Sequence, residues 1–392
     1  MKRLTILSVC ILTMTTLNAK KTTDGWVTTW ATAVEAVDKG DMPTAPLTER
    51  SVRQVVRVSV GGSVLRLQLS NLFGSDDVEI RSVYVADALD SCDIDRRTAR
   101  QLTFNGRRAM TLKRGESTFS DDLRYALKPL QRLSITICYG ARTPELATSH
   151  RGSRTTSYIA DGEAKASKPF GCTERVDHWY NIAAIDVQGT ADGVACLGNS
   201  ITDGRGSTTN EQNRWPDFLA TALNGRTAVM NLGIGGNCVL EGGASEPALK
   251  RFDRDILGQR GVKTLVLMEG VNDIGISNGN SEQVARDLIK AYETLTEKAH
   301  AAGLRVLIGT ITPFGGHSYH THFHEAARQT VNDWVRTQKT ADGIADFDAL
   351  ARDGAHPEWL KDEYSDDGLH LNPTGYEAMG RYVAGLLREM NR

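Results

Sequence analysis

The chain has 392 residues, of which 40% are hydrophobic and 24% charged, and its formal net charge is −2. This is an ordinary globular composition, long enough for two or three domains with ample core. Forty-six basic residues against 48 acidic ones, with no Lys/Arg run, exclude the electrostatic footprint of a nucleic-acid binder.

The amino-terminal segment has its own character. Lys2 and Arg3 precede a largely apolar stretch from Leu4 to Leu17, and Ala19 supplies a small residue for cleavage. The pattern predicts a signal peptide over residues 1–19 and hence a secreted or periplasmic protein. Cys10 lies inside the apolar stretch behind Val9, a poor setting for lipid attachment. No later segment reaches the ~18 apolar residues of a membrane span. Five further cysteines, Cys92, Cys138, Cys172, Cys196 and Cys238, are scattered and odd in number. They form neither a disulfide framework nor a zinc signature, and permit at most two bridges. Cys196, within an apolar run, reads as a small core residue.

From about residue 50 the hydrophobic period is two. Val56, Val58 and Val60 alternate with Arg57 and Ser59, and Leu65, Leu67 and Leu69 alternate with Arg66 and Gln68. Gly61-Gly62-Ser63 between them is a hairpin signal. Val78–Ile80 and Ile135–Ile137 continue the alternation, so residues 20–190 are expected to form a β-sandwich with one buried and one wet face. Residues 161–176 are polar and punctuated by Gly and Pro, and predict a loop.

After residue 190 strands and helices alternate. Apolar strand candidates lie at 194–198, 228–232, 264–268, 305–311 and 344–347. Helical stretches are expected near 212–223, 246–257, 281–302, 324–339 and 374–389. Residues 191–392 therefore predict an α/β domain, a parallel sheet covered on both faces. Such sheets place their sites at the carboxyl ends of the strands.

Ser200 stands just past the first such end, in "GVACLGNSITDG" at residues 193–204. A serine hydroxyl needs a base, an orienting acid and oxyanion donors before it can act as a nucleophile. "YSDDGLHLNPTGY", residues 364–376, offers Asp367 and His370 three apart across Gly368, and this spacing favours Asp367 over Asp366. "NLGIGGN", residues 231–237, follows the second strand, and its glycines allow close backbone approach. "EGVNDIG", residues 269–275, follows the third and carries the Asn272 amide. Three adjacent strand ends thus supply the donors that an oxyanion hole requires.

In these blocks the chain resembles the SGNH hydrolases, also called GDSL esterases/lipases. Gly198-Asn199-Ser200, Gly235-Gly236-Asn237, Gly270-Val271-Asn272-Asp273 and Asp367-Gly368-Leu369-His370 occur in the family's order. The resemblance implies a flavodoxin-like α/β/α fold with Ser200 as nucleophile, His370 as base and Asp367 as its orienter. It further implies Ser200, Gly236 and Asn272 as oxyanion donors, and no cofactor. Asn199 replaces the family's usual Asp; its amide can hold the same loop by hydrogen bonds. The absence of Gly-x-Ser-x-Gly argues against an α/β-hydrolase elbow.

The first half, through "RQVVRVSVGG" and "LRLQLSNLFG", is similar to the β-rich, jelly-roll-like region of secreted bacterial SGNH esterases, including some associated with plant-polysaccharide breakdown. This implies a serine esterase working through an acyl-enzyme on short acyl esters, acetyl foremost, of a small molecule or polysaccharide. Two alternatives stand beside it. One is a lipase, arylesterase or thioesterase using the same residues on longer acyl chains; the other is a non-catalytic carbohydrate-binding protein.

Several other residues invite functional readings. His317, His320, His322 and His324 in "HSYHTHFH" could ligate a metal, but acids are few nearby and the spacing matches no closed zinc pattern. A polar loop lining the cleft is expected instead, with His317, His320, Asn199 and Trp359 as substrate-pocket candidates and no metal. Trp215, just before Pro216, is expected to pack at a helix start.

Overall fold

The computed structural model describes residues 25–391; the signal peptide read at 1–19 lies outside them. Besides the two-stranded pairing of Ser149–His150 with Trp179–Tyr180, the described residues of the first half fold into two larger antiparallel sheets. In one, Gly62–Ser70 pairs with Ile182–Gln188 on one side and with Ser117–Phe119 and Leu123–Leu127 on the other; Trp26–Ala31 closes the edge. In the other, Ser157–Asp161, Arg50–Arg57, Arg132–Tyr139 and Val78–Asp87 lie side by side. Val56, Leu65, Leu67, Leu69, Val83, Ile135, Ile137 and Ile185 interleave between the sheets in one core. Each such side chain contributes roughly 1.5–3 kcal/mol by leaving water.

Three expectations are corrected here. Gly61-Gly62-Ser63 is not a hairpin: Arg50–Arg57 and Gly62–Ser70 belong to different sheets, and residues 58–61 carry the chain across. Local alternation feeds the same core either way, so it cannot tell a turn within a sheet from a crossing between two. Gly61 is required because a Cβ there would stand 2.4 Å from the Leu127 carbonyl oxygen. Secondly, the outer face of the second sheet is not wholly wet. Arg53 is buried there, bonded to Thr136, Tyr84 and the Cys92 carbonyl, with Phe170 under its guanidinium. Thirdly, the segment 161–176 is not all loop, because Cys172–Val176 pairs with Ser157–Asp161 as a polar edge strand.

The second half contains a parallel five-stranded sheet. Its order is Ala228–Gly233, Gly193–Gly198, Val262–Met268, Arg305–Gly309 and Gly343–Ala345, which is second, first, third, fourth, fifth in the chain. The order reverses beside the first strand, and open α/β sheets place their sites at the carboxyl end of such a switch point. The long helices Ser281–Ala301 and His322–Thr337 pack together, as do Trp215–Ala222 and Pro373–Met390. Pro373 starts the last helix where no N–H is needed, and the Asn372 side chain caps Thr374 and Gly375. Among the described residues no helix is long and apolar enough to cross a membrane.

The halves are joined by apolar packing and by backbone bonds. Ala31, Ala33 and Ala184 enter the core of the parallel sheet. Thr28 N–H donates to the Arg260 carbonyl at 3.0 Å, and Ser59 Oγ accepts from Val229 N–H at 3.0 Å.

Candidate active site

The strand Gly193–Gly198 runs into a single helical turn, Ser200–Asp203. Gly198 is obligatory at the junction, since a Cβ would lie 2.1 Å from Thr202 Oγ1 and 2.6 Å from the Met268 carbonyl oxygen. Asn199 caps the turn, its Oδ1 accepting from Ile201 N–H at 3.0 Å. Asn199 is only 1% exposed, with its side-chain oxygen engaged in this cap.

Ser200 Oγ lies 2.9 Å from His370 Nε2, and His370 Nδ1 lies 2.7 Å from Asp367 Oδ2. The second Asp367 oxygen accepts from the N–H groups of Leu369 and His370 at 3.0 and 2.8 Å. Gly368 makes this tight loop possible with φ +75°, and a Cβ there would press within 2.8 Å of the Gly315 carbonyl oxygen. Ser365 closes the loop by donating to the His370 carbonyl and accepting from Gly368 N–H.

Electrostatics suit proton transfer. Burial alone would raise the Asp367 pKa, but the bonds from His370 and two backbone amides hold it down at about 2. Burial dominates at His370 and lowers its pKa below 6.5; Asp367 opposes, while the charges of Arg205 and His317 add to the lowering. His370 is therefore neutral at pH 7, Nδ1–H held by the carboxylate and Nε2 free to accept the serine proton.

Asn272 sits on the short helix Val271–Gly275 after the third strand. One of its amide hydrogens bonds the Asn237 carbonyl at 2.7 Å, so the side chain lies against the Gly236-Asn237 turn. The second remains for a ligand. The chain turns at Gly236 with φ +75°, and its carbonyl accepts from Ala244 N–H at 2.8 Å.

The histidine segment divides. His317 Nδ1 accepts from Tyr319 N–H at 3.2 Å, while His320 packs on Phe314. His322 and His324 lie in the first turn of His322–Thr337 rather than in a loop, and the His324 ring bonds the carbonyls of Tyr319 and Ser277. The His324 ring thus ties the start of this helix to the residues after Val271–Gly275, which a loop reading of the segment does not anticipate. Among the described residues no group of three or more His, Cys, Asp or Glu is placed to hold a metal. Trp359 is 45% exposed and lies over Gly315-Gly316, next to the Asp367–His370 loop. Trp215 is buried at its helix start, with Nε1 3.3 Å from Thr202 Oγ1.

Sequence reading missed Arg251. It is fully buried and donates to the carbonyls of Gly198 and Leu232 and to Asn237 Oδ1, tying the ends of the first two parallel strands. Nothing local marks it, because an arginine on a helix is ordinarily a solvated one.

Residues 196–378 match the family described as GDSL-like Lipase/Acylhydrolase. No curated protein matches the chain. Similar solved structures include a GDSL-like lipase from Bacteroides thetaiotaomicron, 18% identical, covering 50% of this chain and 88% of that one with a TM-score of 0.40. A carbohydrate acetylesterase from Sinorhizobium meliloti is 16% identical over 50% of this chain and 99% of its own, TM-score 0.37. A catalytic mutant of an acetylxylan esterase from Geobacillus stearothermophilus is 16% identical over 52% and 95%, TM-score 0.39. The family's segment contains the strand end, the helical turn and the loop that bring Ser200, His370 and Asp367 together. That segment is a GDSL-like lipase/acylhydrolase domain, and with it the chain carries the domain of a serine ester hydrolase.

Proposed function

We propose that Ser200 is the nucleophile, His370 the general base and Asp367 its orienting partner, acting on short acyl esters of carbohydrates. The observation that carries this is the chain of contacts from Ser200 Oγ to His370 Nε2 at 2.9 Å and from His370 Nδ1 to Asp367 at 2.7 Å. Ser200 Oγ bonds to the acyl carbon as its proton passes to His370 Nε2. The carbonyl oxygen becomes an oxyanion, met by the N–H groups of Ser200 and Gly236 and the Asn272 amide. His370 returns the proton to the departing alcohol and leaves an acyl-Ser200 ester. Water then attacks that ester, giving its proton to His370, and the acid is released as Ser200 Oγ is reprotonated.

The sugar preference is supported by the half-exposed Trp359 ring, a flat apolar face beside the loop of the proposed base. The similarity of residues 20–190 to β-rich regions of secreted esterases supports it as well. In this reading residues 191–392 carry the chemistry, and residues 1–19 direct export. The decisive test is acetate release from a panel of acetylated glycans together with a nitrophenyl ester series from C2 to C10, with Ser200→Ala as control. Acetate release and a kcat/KM that falls beyond C4 are expected. A maximum at C8 or longer would establish the long-chain reading instead.

A further inference from the structure

A second histidine–aspartate pair lies on the other side of the Ser200 turn. His150 comes from the antiparallel half, in the two-residue strand Ser149–His150, and is 3% exposed. Its Nε2 stands 2.9 Å from Asp203 Oδ1 and its Nδ1 2.9 Å from the Ala33 carbonyl, with the ring stacked on Trp179. A backbone carbonyl only accepts, so Nδ1 carries a hydrogen and the ring's orientation is fixed. Burial pulls the His150 pKa down, but Asp203, Glu35 and the Ala33 carbonyl outweigh it and hold it above the ordinary value.

Asp203 is the last residue of the turn that Ser200 begins, and it is buried too. Its other oxygen accepts from Gly235 N–H at 3.1 Å, immediately before the proposed donor Gly236. The backbone of Gly152 lies so close that a Cβ would fall 1.8 Å from this oxygen. The far end of the same loop is tied to the same half. Gly236 O accepts from Ala244 N–H, and the neighbouring Ser245 hydroxyl donates to Glu35. Glu35 is buried and also accepts from Arg151 through both its backbone N–H and its guanidinium, each at 2.9 Å. Both ends of the 235–245 loop are therefore anchored by side chains some of which lie far away in the chain.

We propose that His150, acting through Asp203, and Glu35, acting through Ser245, are positioning residues that hold the 235–245 loop so that the Gly236 N–H faces the oxyanion. The antiparallel half then contributes to turnover itself, not only to substrate capture. This rests on the reading that Ser200 attacks and Gly236 donates. A passive interface would predict lost stability alone. A positioning role predicts a loss confined to the transition state, because a donor displaced by ~1 Å costs on the order of 10²-fold.

The experiment uses the full chain carrying His150→Ala, His150→Asn, Glu35→Gln or Ser200→Ala. Nitrophenyl acetate kinetics and inhibition by phenylboronic acid, which forms a tetrahedral adduct with an active serine, are measured on variants shown to be folded by circular dichroism. The expected result is a roughly 10–100-fold fall in kcat for His150→Ala, with KM changed less than about threefold. The boronate Ki should rise by about the same factor as kcat/KM falls, and Glu35→Gln should follow in the same direction. If His150→Ala fails to fold, His150→Asn and Glu35→Gln carry the same comparison. Folded variants with unchanged kcat and Ki, or with a raised KM alone, would overturn the positioning role. Full turnover by Ser200→Ala would instead overturn the underlying reading.

Discussion

The two histidine–aspartate pairs flanking the Ser200 turn use the same side chains to opposite effect. His370 and Asp367 are three residues apart in one loop, and the carboxylate is half open to solvent. His150 and Asp203 are 53 residues apart, and both are almost wholly enclosed. Burial wins at His370 and lowers its pKa, whereas carboxylates win at His150 and raise it. The difference lies in what faces the second ring nitrogen. At His370 it meets a serine hydroxyl, which welcomes a neutral acceptor; at His150 both nitrogens face oxygen acceptors, which favour a bound proton. The same pair is thus suited to moving a proton in one setting and to keeping it in the other.

The largest expected contrast comes from removing each imidazole. His370→Ala should lower kcat by about 10⁴–10⁶ without unfolding the chain, far more than His150→Ala does. Equal losses in the two variants would erase the distinction. Asp367→Asn should cost about 10⁴ in kcat, since the amide no longer fixes the tautomer that accepts from Ser200, while Asp366→Asn should be silent. An indispensable Asp366 would shift the pairing by one residue. Asn272→Ala should reduce kcat by roughly 10²–10³ and leave KM little changed, as steady-state kinetics would show.

Acid titration separates the pairs more finely. Turnover requires neutral His370, and its pKa is lowered, so the acid limb of kcat/KM should fall below pH 6.5. In Asp367→Asn the residual activity should show this limb displaced further toward acid, because the carboxylate that supports the imidazolium is gone. The smallest effect concerns stability. The folded state holds the His150 proton more tightly than the unfolded chain does. Its contribution is therefore complete below about pH 6.5 and fades as pH climbs through the folded value. Thermal melts should show the Tm gap between wild type and His150→Gln narrowing on the alkaline side.

The sequence discloses the first pair and conceals the second. Asp367-Gly-Leu-His370 is readable because the whole interaction fits in one tight loop, and Ser200 is readable because a parallel strand must end there. The first four parallel strands are legible from their apolar stretches, such as residues 194–197, 265–268 and 306–308. The fifth, Gly343–Ala345, is only three residues long and partly exposed. His150 and Glu35 carry no local signal. Their partners stand on the other half of the chain, and an isolated histidine or glutamate in a β-rich segment looks like any polar residue. The crossing at Gly61 was illegible on similar grounds, since pairing between strands is decided by distant segments. Arg251 was hidden by its surroundings, three carbonyl-type acceptors gathered from two strand ends and a loop.

The anchoring of Ser245 by Glu35 has a consequence for the order of events at the ribosome. The two residues are 210 positions apart, so at roughly 5–20 residues per second Glu35 waits on the order of 10–40 s for its partner to be made. Its Arg151 contacts, 116 positions away, can form first. Ser200 waits similarly, with 170 residues to be added before His370 exists. Every strand of the antiparallel half is therefore synthesised well before the contact between Ser200 and His370 becomes possible.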